Sequence, residues 1–158
     1  MRKTLQMLAL LLAAVPALAI DPGQAEGALV INSQTINLVY CYAVGNQRND
    51  ATGRQDDIKI VLVDKPLAAD ADFSQIEYAF PPESRGVVLL INSNRQPQRV
   101  FIEHGTGIFE SSDFKSGNFK VRVRTTREGD LDGRIESKPI TASTLYLKFD
   151  ASFRAIVR

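Results

Sequence analysis

The chain reads as an all-β protein, mainly antiparallel: a single-domain β-sandwich or flattened barrel of about eight strands, with at most one short helix. Three observations predict this. First, FKVRVRT, Phe119 to Thr125, alternates apolar and polar side chains, mostly basic, the period of a strand buried on one face. Second, Leu145, Leu147, Phe149, Ala151, Phe153, Ala155 and Val157 hold one parity of the final stretch, with mostly polar residues between them. Third, short apolar runs are separated by clusters of Gly, Pro, Asn, Asp and Ser at hairpin spacing. No segment between them supplies the crossover helix that a parallel sheet needs.

The elements follow in order. Ala28 to Ile31 is a strand, Asn32-Ser33-Gln34 a turn, and Thr35 to Val44 the returning strand. In that second strand Ile36, Leu38, Tyr40, Tyr42 and Val44 fall on one face, and Asn37, Val39, Cys41 and Ala43 on the other. Gly45 to Gln55 has no apolar run and reads as a loop. Asp57 to Val63 is a strand, stopped by Asp64-Lys65-Pro66. Ala68 to Phe80 admits two readings: Phe73, Ile76 and Phe80 stand at helical spacing, whereas the remainder suits an irregular segment. Val87 to Ile91 is a continuous apolar run and a central strand; Asn92 to Arg95 turns the chain into Arg99 to Ile102. Glu103 to Gly117 reads as a long loop with Phe109 and Phe114 tucked beneath it. Glu128 to Asp132 is a turn after Phe119 to Thr125, and Gly133 to Ser137 starts the next strand.

The N-terminus predicts export. MRKTLQMLALLLAAVPALA has Arg2 and Lys3, an apolar stretch from Leu5 to Val15 broken only by Gln6, and Ala17-Leu18-Ala19. This is the pattern of a secretory signal peptide, residues 1–19, with cleavage after Ala19. Residues 20–26 form a polar lead-in and residues 27–158 the folded domain. The apolar core of the signal is shorter than the ~20 residues of a membrane span, and no later stretch is long enough, so no transmembrane segment follows cleavage. The expected location is periplasmic or secreted. Of 19 basic and 18 acidic residues, removal of Arg2 and Lys3 leaves a formal charge of −1. That is no global field for nucleic acid. A lone cysteine excludes a disulfide within the chain.

The order of segments resembles a group of small exported bacterial β-rich proteins. The residues that carry the likeness are YCYAV, then DIKIVLVDKPL, then DGRI and FDASFRA, matching Y-x-Y-A, D-I-x-V-x-L-x-D-x-P-L, D-G-x-aliphatic and D-A-x-F patterns over Gly27 to Arg158. The resemblance implies export and a β-rich domain. It brings no activity, cofactor or site residue with it.

Few residues point to chemistry. Cys41 lies among apolar neighbours, the setting of a buried hydrophobe, and no cation, histidine or helix N-terminus stands near it in sequence to activate a thiolate. His104, in the EHGTG loop, is the one histidine. A small Cys-His hydrolase using Cys41 and His104 is therefore the alternative to the main reading, and the rest of the sequence offers it no nucleophile motif. Zinc would want several Cys and His ligands. EGDLDG, Glu128 to Gly133, lacks the register of a calcium loop, so no metal or cofactor is expected. The candidate site is instead a basic stripe. Lys120, Arg122 and Arg124 project from one face of one strand, with Lys148 and Arg154 expected alongside if the last strand joins that sheet. Such a stripe would bind an anion or would keep a β surface soluble. The function expected from all this is a non-enzymatic exported domain that binds or assists an envelope protein or glycan.

Overall fold

A computed structural model of the chain describes residues 20–21, 23–47, 53 and 57–157. The expected signal peptide with its cleavage point and most of the expected loop 45–55 lie outside the described residues. The fold is all-β. Its strands are β1 (Gln24–Ile31), β2 (Gln34–Gln47), β3 (Asp57–Val63), β4 (Gly86–Ile91), β5 (Pro97–Glu103), β6 (Ile108–Ser111), β7 (Phe119–Thr125), β8 (Leu131–Ser137), β9 (Ile140–Ala142) and β10 (Leu145–Ala155). They form one antiparallel sheet in the order β6-β5-β4-β3-β2-β1-β10-β8-β7, with β9 beside β10. The sheet curls into a half-barrel, so the flattened-barrel form of the expectation holds with ten described strands rather than eight.

The differences have local causes. Residues 24–26, assigned above to the lead-in, belong to β1, because Gln24, Ala25 and Glu26 pair with Arg154, Phe153 and Ser152 of β10. β2 continues through Gln47, which faces Asp57, into what reads as loop. β6 lies inside the expected loop 103–117; four residues are too few to show a period, yet all four pair with β5. β8 and β9 form one strand side interrupted at Lys138-Pro139. Proline has no N–H to give a ladder, and Ser137 Oγ accepts the Phe149 N–H at 3.0 Å where the ladder breaks.

Within β2 the faces change partway. Leu38 pairs with Gly27 but Tyr40 pairs with Gln24, a slip of one residue. Ile36 and Leu38 therefore point into the same core as Cys41 and Ala43, while Tyr40 and Tyr42 point to the opposite face. The expectation that Ile36 and Leu38 share a face with the tyrosines is corrected by this slip, since a one-residue shift moves side chains across a sheet.

The main core fills the concave face. It joins Leu29, Leu38, Ile60, Leu89, Ile102, Ile135, Phe149 and Phe153 from strands across the whole curl. Phe109 and Phe114 pack against it, and Phe114 meets the Phe119 ring at 5.5 Å. A second, smaller core lies on the convex face of β2 to β5, where Val61, Val63, Val88 and Phe101 meet Leu67 and Ile76. Every residue of β3 is buried as a result.

The cover over the convex face is the segment between β3 and β4. It contains turns but no helix. The reason is visible at Lys59, which stands in the middle of β3 with its side chain 2 % exposed. Its Nζ donates to the Phe73 carbonyl at 2.7 Å, the Ser74 carbonyl at 3.1 Å and Glu77 Oε2 at 2.5 Å. A helix would commit those two carbonyls to the N–H groups one turn on. Here they saturate the three donors of a buried ammonium. Replacing Lys59 by Met leaves Glu77 and two carbonyls without their partner. Chemical denaturation is expected to show a loss of about 3–5 kcal/mol, the cost of removing one member of a buried pair. The double variant Lys59→Met with Glu77→Leu is expected to regain part of it. A single-variant loss below about 1 kcal/mol contradicts the clamp.

Topology also decides where the sheet stops. Nine strands alternate in direction along the path, so β6 and β7, its two ends, run the same way. Closing the barrel would need a parallel β6–β7 pair, and parallel neighbours need a connection of about a dozen residues or more. The link between Ser111 and Phe119 is shorter than that. The seam stays open.

Candidate functional site

The β7–β8 hairpin carries the basic stripe. Its turn is closed by Thr126 N–H donating to the Asp130 carbonyl at 2.8 Å, with Gly129 at φ +92, the left-handed position of a three-residue hairpin loop. At the far end Lys138 N–H donates to the Asn118 carbonyl at 2.8 Å. Phe119 is buried and Val121 and Val123 half-buried on the concave side, whereas Lys120, Arg122 and Arg124 are exposed on the convex side. The period-2 reading of this strand holds.

Register gives each cation a neighbour. Lys120 faces Glu136, Arg124 faces Asp132, and between them Arg122 faces Arg134. Lys120 Nζ lies 2.9 Å from Glu136 Oε1, and Arg124 donates to Asp132 Oδ2 from Nη2 at 2.6 Å and Nε at 3.0 Å. Arg134 turns to β10, donating to both oxygens of Asp150 at 2.9 and 2.6 Å. These bonds, and the charge of Asp150, push the Arg134 pKa up. Arg122 has no ion pair or side-chain hydrogen bond among the described residues. Like charges directly opposite across a ladder are unfavourable, and surface ion pairs repay only about 0–1 kcal/mol each. Arg154 does join this face, but it is held at the hairpin turn by Asp130 at 2.9 Å and Glu128 at 3.6 Å. Lys148 is exposed on the same face of β10.

A groove of about 530 Å³ runs along β7. One wall is the tip of the β4–β5 turn, including Arg95 and Pro97; the other is Val121 to Arg124, with Arg134 and Ser152 beyond. A second hollow of about 250 Å³ shares Arg122 and Arg134. The tip is fixed by Asn92, whose side-chain oxygen accepts the N–H groups of Asn94 at 3.0 Å and Gln96 at 2.9 Å. Arg95 sits at φ +62, a conformation that costs a side-chain-bearing residue about 1–3 kcal/mol and glycine little. Its Nε and Nη2 donate to Thr125 Oγ1 of β7 at 3.3 and 3.1 Å. Around the groove stand Lys120, Arg122, Arg124, Arg134 and Arg95 against Asp132, Glu136 and Asp150, a surplus of positive charge. Sequence reasoning named the three β7 cations and missed Arg95 and Arg134. The signal for Arg134 was its parity in Asp132-Gly133-Arg134; the signal for Arg95 was an arginine at a turn position suited to glycine.

The other sequence candidates are dispersed. Cys41 is buried in the concave core, and desolvation raises its thiol pKa far above the ordinary range. His104 lies in the β5–β6 turn, half-buried, its Nδ1 3.2 Å from Thr106 Oγ1. Register aligns Cys41 with Leu62, Val87 and Ile102 on successive strands. Cys41 is thus three strand spacings, about 14 Å, from the strand that leads to His104, and the two are not assembled. In the turn after β7, Glu128, Asp130 and Asp132 are taken up by Arg154 and Arg124. No group of three or more metal-ligating side chains occurs among the described residues. No helix there is long and apolar enough to cross a membrane.

Comparison of the chain with protein-family models, with curated proteins and with solved structures finds no match in any of the three.

Burial and the raised pKa set the behaviour of Cys41. In native buffer at pH 8 a thiol reagent such as DTNB is expected to label none of it over hours, and one equivalent per chain once denaturant is added. Rapid native labelling would mean that the sulfur is not in the core.

Proposed function

We propose that this chain is an exported, non-enzymatic domain of the bacterial envelope that binds an anionic partner in the groove along β7. The observation that carries the reading is Arg122, opposite another arginine and without a carboxylate. Arg95 supports it, because an arginine is kept there at a backbone conformation that glycine would adopt more cheaply. Polar groups in such unfavourable settings are candidates for binding. Export rests on the leader-like pattern of residues 1–19 and on the resemblance to small exported proteins. The hydrolase alternative draws no support from the placement of Cys41 and His104.

Two experiments test the reading. On a heparin column the protein is expected to be retained at low salt and released as salt rises. Arg122→Glu is expected to elute clearly earlier, and Lys65→Glu, the same charge change on the opposite half of the sheet, to elute near wild type. Arg95→Gly is expected to weaken retention while its melting temperature stays level or rises, since the turn loses backbone strain. Equal elution of wild type and Arg122→Glu would remove the groove from the proposal. For export, Edman or mass analysis of the protein from an envelope fraction is expected to begin at Ile20. A chain retaining Met1 in the cytosol would contradict it.

A further inference from the structure

The groove is bounded by an open strand edge as well as by arginines. Two hydrogen bonds fix the phase of the β7–β8 ladder, Lys138 N–H to Asn118 O and Thr126 N–H to Asp130 O. Residues 118 and 126 are therefore in hydrogen-bonded pairs, and so are Lys120, Arg122 and Arg124 between them. The alternate residues Val121 and Val123 direct their N–H and C=O groups away from β8, toward the seam. No hydrogen bond to those groups occurs among the described residues. Up to four main-chain donors and acceptors thus line the groove beside the guanidinium groups.

The two ends of the sheet are treated differently. β6 is cut to four residues, one of the usual ways to blunt an edge. β7 has seven residues, no proline and an unbroken register with β8. Its one protection is charge, and charge selects among partners. A second copy of β7 laid along this edge would set Arg122 against the arginines of its twin, which is unfavourable. An extended strand with acidic side chains on the convex side would meet Arg122 instead, with Arg95 standing at the seam beside Thr125. Between those acids, small apolar residues would face Val121 and Val123 on the concave side.

We infer that β7 is a strand-addition site: an extended acidic segment of a partner protein pairs antiparallel with the open edge through Val121 and Val123, with a carboxylate seated on Arg122. This deepens the anion-binding reading above and rests on it for the choice of an acidic partner. Main-chain bonds supply the affinity and alternate side chains the selectivity, as in other strand-addition complexes.

The test uses the purified protein and three probes: the peptide acetyl-TEVEVET-amide, the same peptide N-methylated at alternate residues, and inorganic polyphosphate. The acidic peptide is expected to bind and to slow amide exchange at Val121 and Val123 by at least about tenfold, read by NMR. The N-methylated peptide is expected to bind at least about tenfold more weakly. Polyphosphate is expected to shift the Arg122 side-chain resonance without protecting those amides. Val123→Pro removes one outward N–H while leaving the bonds to β8, so it is expected to lose the peptide and keep heparin retention. If that variant does not fold, the N-methylated peptide decides alone. Equal binding of the two peptides with no amide protection overturns strand addition and leaves the anion site standing. Binding of acetyl-TKVKVKT-amide as tight as the acidic peptide overturns the acidic partner. Failure of all probes, polyphosphate included, overturns both readings.

Discussion

The ammonium of Lys59 is the constraint on which the arrangement of this fold turns. A curled sheet buries its concave face against itself, but its convex face must be covered separately or stay wet. Here the convex face is covered only over β2 to β5, by a segment with no regular structure of its own. What registers that segment is one Nζ, whose three donors go to Phe73, Ser74 and Glu77. Aromatic contacts finish the join: Tyr42 packs on Phe73 at 5.6 Å and Tyr78 on Phe101 at 5.5 Å. The Tyr42 hydroxyl accepts the Leu67 N–H at 3.0 Å. A buried ion pair contributes little net stability against a well-packed apolar substitute. Its effect is to specify which residues of an irregular segment face the sheet, which apolar contacts alone would leave loose.

That one-sided cover divides the sheet. Within the covered half, β2 to β5, strands β3 and β4 are dry on both faces. In the other half, β1, β10, β8 and β7 keep a wet convex face where ion pairs run from strand to strand: Lys120 to Glu136, Arg124 to Asp132, Arg134 to Asp150, Arg154 to Asp130. Each is worth little in solvent, but together they hold the long side chains in fixed positions and cancel most of the stripe's charge. The exception at Arg122 is therefore informative. Among the described residues Lys148 on β10 also lacks a carboxylate, but Arg122 alone of the β7 cations does, and it stands beside the groove, where an external carboxylate or other anion would complete the pattern.

Much of this was legible in the sequence and some was not, for physical reasons. Phe119 to Thr125 and Leu145 to Ala155 have one buried and one wet face, so their period of two is plain and both strands are found there; the alternation runs on to Val157, but β10 stops at Ala155 and Val157 is exposed. β3 is buried on both faces, so Lys59 in DIKIVLV resembles an outward-facing polar residue; its partners lie 14 to 18 positions away and no local pattern announces them. The alternation of β2 places Cys41 opposite Tyr40 and Tyr42, as found, but places Ile36 and Leu38 with the tyrosines, because a slip in pairing leaves no mark on composition. The helix spacing of Phe73, Ile76 and Phe80 reports burial rather than helix: Ile76 is buried and the two rings pack on the convex core from a segment whose carbonyls are spent on Lys59. The stripe on β7 was visible, whereas Arg134 and Arg95 became part of it only through strand order and a turn.

Strand count ties the site to the topology. An antiparallel path of nine strands ends in two edges of the same direction, and a short link between them prevents the parallel pairing that would close it. An even number of strands would end in two edges of opposite direction, which can pair antiparallel. The open edge of β7 is thus a consequence of parity, and the arginines on it answer the hazard that parity creates, since a flat seven-residue edge invites pairing with any copy of itself. The same charges that forbid the twin favour an acidic strand. Added antiparallel to β7, such a strand makes the count even, so that the two edges of the sheet run in opposite directions.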